Sequence, residues 1–195
     1  MGKRILIIDG HPDPAGERLV HALAQAYREG AESGRHEVMS LRVADLDFPM
    51  LRTQSDYEQG EPSQTIRQGQ SLLDWATHVV IVYPLWLGSM PAMLKAWLEQ
   101  TLRPGFAFSA RKLGRWPVKL QSGKSARIVV TMGMPGWLYR WYFRAHSLRS
   151  LQRNILHFVG FRRVRATLIG NVGNLSGEQR QACLQQMRSL GQRGR

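Results

Sequence analysis

Five short runs rich in apolar and β-branched residues alternate along this chain with five segments of helical period, and this alternation constrains the fold more than any other feature. The runs cover residues 4–9, 36–42, 78–83, 125–131 and 164–169. The helical segments cover 17–32, 64–75, 91–102, 144–159 and 177–190. Strict alternation predicts a parallel sheet covered on both faces, because a parallel connection must carry the chain back along the sheet, usually through a helix. The run Val79-Val-Ile-Val-Tyr83 has no polar alternation at all, which suits a strand buried on both faces. A length of 195 residues, with no linker, repeat or low-complexity tract, reads as a single domain over 1–195. Right-handed crossovers then leave two doubly wound α/β arrangements, a flavodoxin-like sheet and a truncated Rossmann sheet.

The helical segments carry readable detail. Leu148, Leu151, Ile155 and Phe158 form the expected buried stripe of the fourth, and Cys183, Leu184, Met187 and Leu190 that of the fifth. Ser176 and Gln179 form a capping box at the start of the fifth. Two long connections, 45–63 and 103–124, are expected to build or cover a site, or to meet another subunit.

Cys183 is the single cysteine, so an internal disulfide is excluded, and no residue pattern reads as a metal-ligand set. The chain has no long apolar run and no signal-peptide pattern, so a soluble, cytoplasmic protein is expected. Its formal net charge is +13, and Arg140, Arg144, Arg149, Arg153, Arg162, Arg163 and Arg165 concentrate it in the second half. Such a surface attracts phosphates, nucleic acid or anionic lipid, or simply stays solvated. Nucleic acid is disfavoured because no named binding motif is present and aromatic residues are not interleaved as in a single-strand groove. Anionic small molecules such as dinucleotides, or a peripheral contact with a membrane surface, fit better.

The loop after the first strand reads Asp9-Gly-His-Pro-Asp-Pro-Ala-Gly-Glu-Arg18 and lacks the Gly-x-Gly-x-x-Gly of a Rossmann turn. It instead delivers His11 and Arg18 to the mouth of a helix, whose free N–H groups and positive dipole end favour a phosphate. The alternatives are local: His11 bonding the loop backbone, Arg18 pairing with Glu17 or solvent. Asp9 and Asp13 read as braces of the loop. After the third strand, Tyr83-Pro-Leu-Trp-Leu-Gly-Ser-Met-Pro-Ala-Met-Leu-Lys-Ala-Trp97 joins strand to helix through an aromatic, glycine-bearing loop. A flat ligand could sit there, since Pro91 suits the first turn of the helix that follows.

His11-Pro-Asp-Pro, Pro84-Leu-Trp86, Met90-Pro-Ala-Met-Leu-Lys-Ala-Trp97, Pro104-Gly-Phe-Ala-Phe108 and Asn154-Ile-Leu-His-Phe-Val-Gly-Phe161, in that order over nearly the whole chain, resemble the flavodoxin-like NAD(P)H quinone oxidoreductases. The resemblance implies a three-layer sandwich around a five-stranded parallel sheet in the order 2-1-3-4-5. It implies FMN or FAD as cofactor, NADH or NADPH as co-substrate, a quinone or similar flat acceptor, and a homodimer with each flavin near the subunit contact. Pro84, Leu85, Trp86 and Leu87 would lie along the isoalloxazine ring, and the backbone of Thr131, Met132, Gly133 and Met134 would meet its polar edge. Tyr139 and His146 would balance charge on the acceptor, although His146 stands one place beyond the position at which the family histidine is expected. Where the family often has neutral phosphate ligands before the first helix, Arg18 would act by charge. The aromatic cluster from Trp137 to Phe143 is expected to be buried by a ligand or a partner subunit. The alternative to an enzyme is a flavin-binding regulatory subunit of a membrane transport system.

Overall fold

A computed structural model describes residues 2–109 and 117–195, so the expected connection 103–124 lies partly outside the described residues. The five strands are β1 (Arg4–Asp9), β2 (Glu37–Arg42), β3 (His78–Pro84), β4 (Ser125–Thr131) and β5 (Arg163–Ile169). All pairings are parallel, and the order is β2-β1-β3-β4-β5, the flavodoxin arrangement. The helices are α1 (Leu19–Ser33), α2 (Gln54–Glu58), α3 (Gln64–Trp75), α4 (Ala92–Thr101), α5 (Gly136–Trp141), α6 (His146–Ser150), α7 (His157–Val159) and α8 (Gly177–Gln192).

Period-two alternation in the strands divides the core into two layers. Ile5, Ile7, Val80, Val82 and Val129 face α1 and α8, where Leu23, Tyr27 and Met187 are fully buried. Leu6, Ile8, Ile81, Tyr83, Ile128 and Val130 face the other way, against Ile66, Leu94 and Trp97 of α3 and α4 and against Leu148, Leu151 and Leu156. The α1–α8 contact is close because glycine lies on both helices. A Cβ on Gly30 would stand 2.0 Å from the Arg188 carbonyl oxygen, and one on Gly191 would stand 2.1 Å from that of Tyr27. The capping box at Ser176 and Gln179 is present, with the Gln179 N–H donating to Ser176 Oγ and the Gln179 carboxamide accepting from the Ser176 N–H.

The structure corrects the fourth helical segment. It begins at His146 instead of residue 144, because Arg144 and Ala145 both adopt left-handed backbone angles (φ 50° and 48°) that break a right-handed helix. Between α6 and α7 runs a π-helical segment, Leu151–Leu156. The wider turn inserts one residue into the α period, so the buried stripe runs Leu148, Leu151, Leu156, Val159 in place of Leu148, Leu151, Ile155, Phe158. Phe158 is turned outward and packs edge-on against Phe108, with ring centroids 5.0 Å apart.

The crevice where this fold offers ligands a place lies beyond the carboxyl ends of β1 and β3, from which chain segments leave in opposite directions across the sheet. The loops after β1, β3 and β4 meet there. Among the described residues no helix is long and apolar enough to cross a membrane.

Candidate functional site

Gly10 continues β1 by donating its N–H to the Val82 carbonyl at 2.8 Å. It has no room for a side chain, since a Cβ would lie 2.6 Å from Leu94 Cδ2. The chain then turns through a network centred on two aspartates. The Asp9 carboxylate accepts from the His11 N–H at 3.1 Å and bonds His21 Nδ1. Asp13 accepts from the Ala15 N–H at 2.9 Å and from the Arg18 guanidinium at 2.5 and 2.9 Å. His21 Nε2 faces the Asp13 carbonyl oxygen at 3.1 Å, so each ring nitrogen of His21 has an acceptor in reach.

His11 Nδ1 accepts the Asp13 N–H at 3.0 Å, which assigns the ring proton of neutral His11 to Nε2. Burial pushes the His11 imidazole below its usual range and the neighbouring His21 adds to this, against opposing pulls from Asp9 and Asp13. Hydrogen bonds from the Ala15 backbone and from Arg18 hold the Asp13 carboxyl below the usual carboxylate range. The first turn of α1 carries no acidic residue, so its free N–H groups remain available to an anion.

The loop after β3 is stapled to β4 by the Leu85 N–H, which donates to the Thr131 carbonyl at 2.7 Å. Trp86 and Ser89 exchange two backbone hydrogen bonds of 2.9 Å, closing a tight turn with Leu87 and Gly88 at φ 46° and 78°. Two successive positive φ angles define a type I′ turn, which is normally built from Asn and Gly. A leucine held there is strained, and its side chain is fully exposed. Trp86 is 49% exposed and packs edge-on against His11, with ring centroids 5.6 Å apart. The β1 and β3 loops are therefore in direct contact.

The loop after β4 is held from the other side. The Met132 N–H donates to the Ile169 carbonyl at 2.9 Å, and the Met134 carbonyl accepts from the Asn171 N–H at 3.1 Å. Gly133 stands between these anchors, exposed, with open space where a Cβ would be. Its N–H and that of Met134 find no partner among the described residues. The site thus combines a half-exposed indole, a glycine-bearing loop with free amide donors, and a helix whose first turn carries no acidic residue, a set that fits a planar heterocycle carrying a phosphate.

The flavodoxin-like fold family matches residues 3–190. The chain is similar to a ribosyldihydronicotinamide dehydrogenase [quinone] of Pongo abelii, 32% identical over 184 residues that cover 83% of this chain and 78% of the relative. The chain belongs to the flavodoxin-like NAD(P)H quinone oxidoreductase family. An FMN-dependent NADH:quinone oxidoreductase of Beijerinckia indica is 29% identical over 176 residues, covering 81% of this chain and 83% of that protein. An NAD(P)H:quinone oxidoreductase structure from Methanothermobacter marburgensis shares the fold, with TM-score 0.82, 20% identity and coverage of 98% and 96% of the two chains.

In this quinone oxidoreductase chain His11, Pro84 to Leu87 and Thr131 to Met134 come together at the carboxyl edge of the sheet. Arg18 reaches the same loop but bonds Asp13, not Glu17. Tyr139 and His146 part company. Tyr139 is buried, its hydroxyl shared with Ser147 Oγ at 2.8 Å and accepting the Leu148 N–H at 3.2 Å, whereas His146 is exposed. His146 lines a cavity of about 460 Å³ with Arg144, Arg149 and Arg153.

His21, Asn171 and the bracing Ser147 were not picked out from the sequence. The signal for His21 was present, a polar residue three places after Arg18 and so in the first turn of α1. A cavity of about 620 Å³ lies elsewhere, between α4, Phe108 and Phe158, and includes no residue of the three loops.

Proposed function

We propose that this chain is a flavin-dependent oxidoreductase that takes a hydride from NADH or NADPH and passes it to a quinone or similar flat acceptor. The observation that carries the reading is Trp86, half-exposed against His11 and stapled through Leu85 to the loop whose Gly133 and Met134 amides are free. A bound flavin would supply the hydride chemistry, and the protein contributes binding, orientation and electrostatics.

Trp86 and Leu87 present apolar surface to a ring, and the Gly133 and Met134 amides present donors to its polar edge, where they favour negative charge. Neutral His11 offers its Nε2–H, and the start of α1 offers amides to a phosphate. FMN is favoured over FAD, because Arg18 places charge where a terminal phosphate would end. Tyr139 and His146 are the proton-handling candidates. Of the two, Tyr139 acts through a hydroxyl already fixed by Ser147 and Leu148. A homodimer is proposed on the face that holds the cavity beside Phe108 and Phe158, where large apolar groups are left open.

The test is to reconstitute purified protein with FMN or FAD, record the bound-flavin spectrum, and follow NADH and NADPH oxidation with a benzoquinone. Retained flavin and steady turnover support the reading. A protein that retains neither flavin, or that binds flavin without oxidising nicotinamide, refutes it.

A further inference from the structure

Between positions 100 and 177 the sequence carries fourteen Lys and Arg and no Asp or Glu. The rest of the chain holds thirteen Lys and Arg against fourteen Asp and Glu, so almost the whole net charge belongs to one stretch. No carboxylate in that stretch can neutralise Arg140, Arg144, Arg149 or Arg153, and none of the four takes part in an ion pair among the described residues. Arg144, Arg149 and Arg153 instead line a common cavity of about 460 Å³ with His146, Ser150 and Asn154. A concave cluster of guanidinium groups without a counter-charge calls for phosphate.

Beside this cavity stand the large aromatics of the loop after β4. Trp137, Trp141 and Tyr142 are 67%, 79% and 76% exposed, and Phe143 is 42% exposed, its ring 5.0 Å from that of Tyr142. Their exposure comes from a built platform. Tyr139 points inward and is pinned by Ser147 and Leu148, while the Ala145 N–H donates to the Tyr139 carbonyl at 3.0 Å. The left-handed turn at Arg144 and Ala145 then sends the chain into α6. Fixing one ring inward leaves its neighbours on the short helix facing out.

Exposed Trp and Tyr close in sequence to Arg is the side-chain chemistry of a membrane interface, where the rings seat at headgroup level and the cations meet lipid phosphate. We propose that residues 137–153 dock this protein onto an anionic phospholipid bilayer, with Trp137, Trp141 and Tyr142 entering the headgroup layer and the arginine cavity holding lipid phosphates. Charge complementarity selects the occupant. The lopsided charge turns this face toward a negative surface, and the exposed rings supply apolar contact that the phosphates of duplex nucleic acid do not call for. The surface begins three residues beyond Met134, so docking sets the candidate site next to the bilayer.

The experiment incubates the full-length protein with phosphatidylglycerol vesicles, with phosphatidylcholine vesicles and with a DNA oligonucleotide. It reads pelleting and the tryptophan emission shift, which need neither flavin nor turnover. Binding to phosphatidylglycerol but not phosphatidylcholine is expected. Arg140→Glu with Arg144→Glu should lower partitioning more than about 25-fold, at about fivefold for each arginine lost. Arg149→Glu on α6 with Arg153→Glu on the π-helical segment, both exposed, should act similarly, and Arg180→Glu on α8 should leave binding unchanged.

Trp137→Ser with Trp141→Ser should abolish the emission shift and most of the pelleting, with circular dichroism confirming the fold of every variant. The proposal is overturned if phosphatidylglycerol is not bound, if DNA is bound and the vesicles are not, or if the tryptophan pair can be removed without loss of binding. It is equally overturned if that removal converts a dimer to a monomer, since the rings would then face a second copy.

Discussion

Lowering the pH should destabilise this protein through His78, at the start of β3 and at the opposite edge of the sheet from the candidate site. His78 is 3% exposed, its Nδ1 bonded to Ser125 Oγ at 2.8 Å and its Nε2 buried without a partner among the described residues. Burial, with smaller repulsion from Lys3 and Arg127, pushes its imidazole down to about 3. In the unfolded chain the same ring titrates near 6.5.

The unfolded state therefore binds the extra proton first. The stability tied to neutral His78 is whole above pH 6.5, falls as the pH drops below it, and is spent near pH 3. Between pH 7 and pH 5 the loss is about 2 kcal/mol, from about 1.4 kcal/mol for each pH unit below 6.5 with a small allowance for partial titration at pH 7. For a chain of this size that corresponds to about 5 °C in Tm. The perturbation is His78→Asn, which keeps a polar group where Nδ1 stands and does not titrate. The assay is urea unfolding of both proteins at several pH values. The variant should be less stable at pH 7 because the ring leaves space, yet its stability should fall by about 2 kcal/mol less than the wild type between pH 7 and 5. Parallel pH profiles for the two proteins would refute the assignment.

Gly191→Ala should destabilise the fold by about 1–3 kcal/mol, since the new Cβ meets the Tyr27 carbonyl and α1 and α8 must separate; thermal unfolding measures it. Tyr139→Phe should cost about 1–3 kcal/mol by stranding Ser147 Oγ and the Leu148 N–H, and a kcat lowered beyond what flavin loss accounts for would add a role in catalysis to this structural one. Trp86→Ala should weaken flavin binding by about 1–3 kcal/mol, read by fluorescence on flavin release, with unfolding by urea little changed because the indole is half-exposed in the folded chain.

The sheet was legible from residues 79–83 and their counterparts because both-face burial leaves an unbroken apolar run, a local signal that survives without tertiary information. The exposed loop at Trp86 was legible for a related reason, an aromatic between a buried strand and a proline-started helix. The pairing of His21 with Asp9 was not, because it joins a strand end to a helix turn twelve positions away and depends on how α1 is rotated over β1. The Arg18–Asp13 pair was hidden for the same reason: Glu17 is adjacent in sequence, but the folded loop brings Asp13 to the guanidinium. Helix α5 lay hidden in a stretch too short and too aromatic for a period to show.

The π-helical turn at Leu151–Leu156 also bears on how this chain should be aligned with its relatives. Anyone threading it onto a partner with a regular helix there, and with the same residue count, will be one place out for every position from Leu156 to Gly160. Val159 will be assigned to the surface and Phe158 to the interior, the reverse of what the fold does. Removing one residue from the turn should restore the regular period while Leu156 and Val159 stay buried and Phe158 stays against Phe108, because everything after the turn keeps its place in the fold.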